Sequence, residues 1–347
     1  MHYGIIHSNN SNLILSSSLP FINQDKLPKR FTLINEGDLI LADTSEDRKD
    51  AAKGIEIINQ SNAHILSGLH TLHLREKTPC TIPGFKTYYV ASKSFRNFAR
   101  KYCEGIKVFS IKQSLLKYTH FAYPQNKNEQ FMIVDFLNKI EDKKAILEKK
   151  INILKKYKEG IVNLCFFKGK KYKLLSFIHQ IDRRNKHNEN LDVYSISNKK
   201  GFISQEEQFD GNEIASINKE RYKIVKKDEF AYNPARINVG SIAYLQKNKC
   251  QISPMYIVFA AKEIYNILLN EYFHSKYFKI ELRAHLEGSV RKSLSFNSLC
   301  DFEIKINEFN NQYEHIFQLL NNKLHILEEC FLRLQKTKNY LLKLMFI

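Results

Sequence analysis

Two stretches of this 347-residue chain carry apolar residues at alternating steps of three and four over many helical turns, and that pattern limits the fold more than any other feature. The first opens at Pro124 and reads PQNKNEQFMIVDFLNKIEDKKAILEKKINILKKYKEGIVNLCF, with Ile133, Leu137, Ile140, Leu147, Ile151, Leu154 and Ile161 in one stripe. Charged residues fill the other faces. The second, FNNQYEHIFQLLNNKLHILEECFLRLQKTKNYLLKLMF, places Ile316, Leu320, Leu324, Leu327, Phe331, Leu334, Leu341 and Met345 on the same spacing. A helix of about 35 residues is roughly 50 Å long and has no core of its own. Its stripe needs a partner, and each stretch supplies one for the other. A whole folded segment lies between them, so the pairing is expected to be antiparallel, with Gly160 placed to bend or interrupt the first helix near its end. A plain helical scaffold without further function explains the pairing equally well.

The remaining segments, 1–123 and 167–306, share a mixed texture. In the first, FTLI and LILA read as strands around a turn-like EGD, TSEDRKDAAKG reads as a loop, and residues 88–103, YYVASKSFRNFARKYC, read as one amphipathic helix. The second repeats these blocks in order. FTLINEGDLILA at 31 lines up with YKIVKKDEFAYN at 222, SGLHTLHLR at 67 with SPMYIVFA from Ser253, and EGIKVFSI near Gly105 with EGSVRKSL near Gly288. Glu129 and Gln130 fall beside Asn311 and Gln312. The fold class expected is α+β: two similar α/β domains, 1–123 and 167–306, separated by two long helices, 124–166 and 307–347, that form an antiparallel coiled coil.

Charge narrows the function. With 54 Lys and Arg against 36 Asp and Glu the formal net charge is +18, which favours a polyanionic partner over a small substrate. The run from Lys168 to Lys186, which includes Lys170, Lys171 and Lys173, is the densest candidate for phosphate contact. A second basic cluster holds Arg283, His285, Arg291 and Lys292. Mean hydropathy is -0.40, and no window is apolar and long enough to span a membrane. The first residues lack the layout of a signal peptide, and the six cysteines stand singly, which points to a reducing, cytoplasmic setting and away from zinc. His64, His70, His73 and Asp43 have no metal-ligand spacing, Ser67 has no nucleophile elbow, and FFKGKKYK is no P-loop. No cofactor and no metal are expected.

The stretch EFAYNPARINVG carries an Asn-Pro step. An adenine methyltransferase would follow it with a second proline and a stacking aromatic, and neither is present, so Asn233-Pro234 reads as a rigid corner. Arg236 and Asn238 sit on the loop beyond, within reach of phosphate or base edges. The equivalent loop of the first copy holds Ser45 and Arg48 among acidic neighbours.

Residues 222–259, YKIVKKDEFAYNPARINVGSIAYLQKNKCQISPMYIVF, resemble the central signature of the DNA-specificity subunit of type I restriction-modification systems. VYSISNKKGFISQ at 193–205, INEGDLILADTSED at 34–47 and HILSGLHTLHLR at 64–75 do so too, and 124–140 is similar to the start of the family's spacer regions. The resemblance covers essentially the whole chain. It implies a non-catalytic protein whose two target-recognition domains each read half of a split target in double-stranded DNA. The paired helices would set the gap and dock two methyltransferase subunits, through which restriction subunits join. Lys200 and Gln205 fall where such proteins carry variable base-reading loops. The chain opens at Met1-His2-Tyr3-Gly4, whereas the family has a further stretch there comparable to 167–200, so the resemblance implies a first domain shortened at its N-terminus. A separately encoded N-terminal fragment would then complete it, or the protein would be an inactive remnant. Service to another DNA-modifying system, beside a fused methyltransferase-endonuclease, remains the alternative.

Overall fold

The computed structural model describes residues 1–8, 13–15, 19–23, 25, 27, 29, 31–58, 63–198, 200–204, 220–262, 265–287, 293–306 and 310–346. Both striped stretches are helices: α4, Lys127–Phe167, has 41 residues and α8, Asn310–Met345, has 36. Gly160 does not interrupt α4, which runs through it to Phe167; the glycine is exposed, with nothing near the position where a side chain would stand. The chain divides into two units, Met1–Lys150 with Leu327–Ile347, and Ile151–Ile326, so each unit contains part of both helices.

In unit 1 the N-terminal part of α4 meets the C-terminal part of α8. Val134 and Leu137 share a core cluster with Leu342 and Phe346, Glu141 pairs with Lys338, and the Lys144 ammonium stands 5.6 Å from the centre of the Phe331 ring. The partner number falls as the first number rises, so the helices are antiparallel. Ile133, Leu147, Leu327, Phe331 and Leu334 are half-buried, while Leu137 and Ile140 are buried.

The sheet of unit 1 runs β1 (Leu13–Leu15), β4 (Gly54–Ile58), β2 (Leu39–Ala42), β5 (Thr71–Leu74) in spatial order. Every residue of β2 is buried because both faces of the sheet are covered. Side chains alternate across a strand. Ile40 and Ala42 therefore pack with Ile6 of α1 (Tyr3–Ser8), Ile55 and Ile57, while Leu39 and Leu41 face Phe85, Tyr88 and Phe95. The expected strand FTLI contributes only an isolated bridge, Leu33 to Leu66. The expected loop 44–54 contains β3 (Thr44–Ser45), which pairs with β6 (Phe109–Ser110).

The single helix expected over 88–103 is two, α2 (Phe85–Ala91) and α3 (Lys93–Tyr102). Ser92 breaks it. Its backbone is extended, its N–H donates to Tyr89 O at 3.0 Å and its hydroxyl accepts from Phe95 N at 3.3 Å. Serine competes with the helix for backbone groups and so serves as an N-cap.

Unit 2 holds the other ends of the helices, with Ile161, Cys165 and Phe166 of α4 in one core with Phe317 and Leu320 of α8. Lys158 Nζ donates to Asn321 Oδ1 at 2.7 Å. Ile151 and Leu324 are buried and Leu154 is half-buried. One sheet runs β13 (Ile242–Tyr244), β12 (Glu229–Tyr232), β15 (Ile257–Ala261), β8 (Ile178–Ile181). A second runs β10 (Gly201–Ser204), β9 (Val193–Ser197), β14 (Lys249–Ile252), β11 (Lys223–Lys226). A two-stranded ladder joins β7 (Lys170–Lys173) to β16 (Glu303–Ile306). The helices α5 (Asn266–His274), α6 (Lys276–Glu287) and α7 (Phe296–Cys300) cover the first sheet.

The two units repeat one another in detail. β2 lies between antiparallel β4 and β5, as β12 lies between antiparallel β13 and β15. Ser275 separates α5 from α6 as Ser92 separates α2 from α3, its hydroxyl accepting from Phe278 N at 3.3 Å. Tyr89 donates its hydroxyl to His120 O at 2.9 Å, and Tyr272 donates to Glu303 O at 3.2 Å. The start of the second long helix is tied differently from what the sequence alignment suggests. Gln130 is buried and holds Ile82 N at 2.9 Å, but its aligned partner Gln312 is exposed, and Glu314 instead accepts from Ile267 N and Leu268 N.

Candidate nucleic-acid interface

The Asn-Pro corner is built from its own backbone. Asn233 N donates to Ser241 O at 3.0 Å, and the Asn233 Oδ1 accepts from Ala235 N at 3.0 Å, which closes the turn over Pro234. Leu294 N reaches Pro234 O at 3.0 Å and pins the corner from outside. A 3-10 turn, Ile237–Val239, follows and ends at Gly240, whose φ of +89° is open to glycine and strained for most other residues. Ile237 is buried, so the turn cannot swing freely, and Arg236 and Asn238 are presented to solvent.

A cleft of about 360 Å3 runs between this turn and the α5–α6 junction, lined among others by Asn198, Asn238, His274, Lys279 and Arg283. Lys279 and Arg283 lie four residues apart on one face of α6, both exposed and both without an ion pair among the described residues. The cleft therefore has a cationic wall opposite an amide-bearing turn. That combination suits a phosphodiester: cations hold the charge and an amide side chain donates and accepts at a base edge. The structure brings together Asn238 and Arg283, which charge and position had singled out in the sequence, and adds His274 and Lys279, which the sequence reading passed over. The i, i+4 spacing from Arg283 is the sequence signal for Lys279, and His274 carries none.

The other candidates lie elsewhere. Lys170, Lys171 and Lys173 are exposed on β7, but Lys171 pairs with Glu303 at 2.7 Å and Lys173 with Asp301 at 2.9 Å across the β7–β16 ladder. Those carboxylates hold both ammonium groups above their usual range. Within the same basic run, Arg183 makes a two-pronged contact with Glu229, at 3.0 and 3.1 Å. Lys200 is exposed in the turn between β9 and β10. In unit 1, Ser45 is buried and its hydroxyl donates to Asp47 O at 2.8 Å, while Arg48 is exposed with its Nε on Arg100 O at 3.2 Å. Gln205, Arg291 and Lys292 lie outside the described residues.

The histidines do not gather. His70 contacts Asp43 at 3.3 Å and His73 contacts Asp38 at 2.7 Å, and no group of three or more metal-ligating side chains occurs among the described residues. No helix among the described residues is long and apolar enough to cross a membrane.

No protein-family model matches the sequence, and no curated protein matches it. Solved structures do. The chain is similar to the type I restriction-modification system S subunit from M. genitalium, with a TM-score of 0.60 at 14% identity over 98% of this chain and 89% of that one. A chain from a structure of type I R-M system assembly and conformational transition aligns at a TM-score of 0.49, with 12% identity over 94% of this chain and 85% of that one. The HsdS subunit from Thermoanaerobacter tengcongensis aligns at 0.39, with 13% identity over 92% and 83%. At such identities the likeness is one of fold, and the fold of this chain is that of the M. genitalium S subunit.

Proposed function

We propose that this chain is the non-catalytic sequence-recognition subunit of a type I restriction-modification complex. The observation that carries this reading is the fold likeness to the M. genitalium S subunit across 98% of the chain. The net charge of +18 and the Lys279 and Arg283 side chains of the unit 2 cleft agree with a DNA partner. In this reading residues 1–123 and 167–306 are the two target-recognition domains, each reading half of a bipartite site. Residues 124–166 and 307–347 are the spacer helices on which methyltransferase subunits dock. Lysines and arginines supply affinity that is indifferent to sequence, and amide side chains such as Asn238 discriminate bases. Methyl transfer and cleavage belong to the partners.

The test is methylation mapping of cells with and without the gene, joined to co-purification of the tagged chain. Loss of one split methylation motif, together with a co-purifying methyltransferase subunit, is the expected outcome. An unchanged methylation pattern in cells that express the chain and its methyltransferase would remove the reading.

A further inference from the structure

Each unit sets a 3-10 turn beside the helix that follows a serine. In unit 1 the turn is Arg48–Asp50 and the helix is α3; in unit 2 they are Ile237–Val239 and α6. A residue of positive φ follows each turn, Ala52 at +55° and Gly240 at +89°, just before the strand that pairs with β2 or β12. Arg96 N donates to Ser92 O at 3.0 Å and Lys279 N donates to Ser275 O at 3.4 Å, so Arg96 and Lys279 hold the same helical position. Arg100 and Arg283 follow one turn later in each helix.

That shared position is used in opposite ways. In unit 1 the Arg96 guanidinium crosses to the turn, where Nη2 donates to Lys49 O at 2.7 Å and to Ala51 O, and Nη1 donates to Ala52 O at 3.2 Å. Arg48 ties the turn back to the helix, its Nε on Arg100 O at 3.2 Å. Two arginines strap helix and turn together, and the same loop exposes Glu46, Asp47 and Asp50. In unit 2 Lys279 is exposed and lines the cleft of about 360 Å3, and the turn brings Arg236 and Asn238 in place of carboxylates. The side chains account for the difference. A guanidinium is a planar fork that can serve several carbonyls at once and is weakly hydrated, whereas an ammonium is a compact charge that keeps its water.

We infer that the two units hold DNA unequally: unit 2 takes a backbone phosphate into its helix–turn cleft, unit 1 has the counterpart strapped shut, and the residue four places after the serine decides which. The inference rests on the recognition reading and adds to it an unequal grip on the two halves of the target. A phosphate requires cationic donors that face solvent and no carboxylate beside them. Unit 2 meets both conditions at Lys279 and Arg283, while in unit 1 Arg96 aims its donors at carbonyls and the adjoining loop is acidic.

The experiment titrates a duplex carrying the motif found by methylation mapping with the chain purified together with its methyltransferase subunit, over a salt series. Lys279→Arg keeps the charge but lets a guanidinium reach the turn carbonyls. Expected are binding weaker by about tenfold, a salt dependence reduced by about one counterion, and a denaturation midpoint no lower than that of the parent chain, which excludes misfolding. The reciprocal Arg96→Lys should lower the denaturation midpoint and leave duplex affinity within about twofold at a temperature where circular dichroism shows it folded. Parental affinity in Lys279→Arg, or a loss of about tenfold in folded Arg96→Lys, overturns the inference and leaves the recognition reading standing. A parent complex that binds no duplex removes the recognition reading, and this inference with it.

Discussion

Lys338 lies buried in the helix pair of unit 1 with its ammonium on the Glu141 carboxylate and over the ring of Tyr88. Burial lowers the Lys338 pKa, and Glu141 restores part of it. Removing Glu141 leaves a buried cation without a partner, so Glu141→Ala should cost about 3 kcal/mol, whereas the double change Glu141→Leu with Lys338→Met should recover most of that loss. Because the folded-state pKa lies below the unfolded value, the lysine weighs against folding at neutral pH and is relieved as pH rises toward 10.5. Urea denaturation of the three proteins at pH 7 and 9.5 checks both effects, and a smaller rise with pH in the double variant is the expected signature.

Acid should loosen unit 1 through Glu76. Burial alone would raise this carboxyl, but hydrogen bonds from Thr81 Oγ1, from Lys86 Nζ at 3.0 Å and from Cys80 N at 2.8 Å outweigh it and hold the pKa at about 2. A depressed carboxylate contributes stability that is complete above the unfolded value of 4.5 and is lost as pH falls toward 2. Glu76→Gln should remove roughly 2 kcal/mol at pH 7 and flatten the acid limb between those limits. Circular dichroism melts from pH 7 to pH 2.5 measure it.

The ties at the head of the long helices should be costly to cut. Gln130 accepts from Ile82 N at 2.9 Å and donates to Cys80 O at 3.0 Å and Pro124 O at 2.7 Å, all in a fully buried position. Gln130→Ala leaves these groups unmet, at a cost of about 2–3 kcal/mol. In unit 2, Glu314→Ala frees Ile267 N and Leu268 N, while Glu314→Gln keeps an acceptor and should be milder. Denaturant midpoints ranked in that order are the expected result, and a milder Ala than Gln variant at 314 would contradict it.

Binding of duplex DNA should divide the cleft residues by role. Lys279→Ala and Arg283→Ala should weaken all sequences alike and reduce the salt dependence by about one counterion each. Asn238→Ala should lose about 1–3 kcal/mol of discrimination at one position. Selection from a randomised duplex pool, followed by anisotropy titrations over a salt series, separates the two behaviours. Equal loss on selected and scrambled duplexes for Asn238→Ala would assign it to packing of the turn.

What the sequence settled by itself follows from periodicity, which is local. Leu137 and Leu320 could be assigned to buried stripes because any long helix with one apolar face must hide it, and the order of repeated blocks was readable because the two copies use the same strands and helices. The interruption at Ser92 was not readable, since a serine inside an apolar repeat becomes a cap only when neighbouring helices need separate directions. Lys171 and Lys173 read as free charge because Asp301 and Glu303 are far away in sequence, and only the β7–β16 ladder sets them opposite. Glu314 took the place of Gln312 for the same reason: which side chain ties a helix head depends on where that head lies in space.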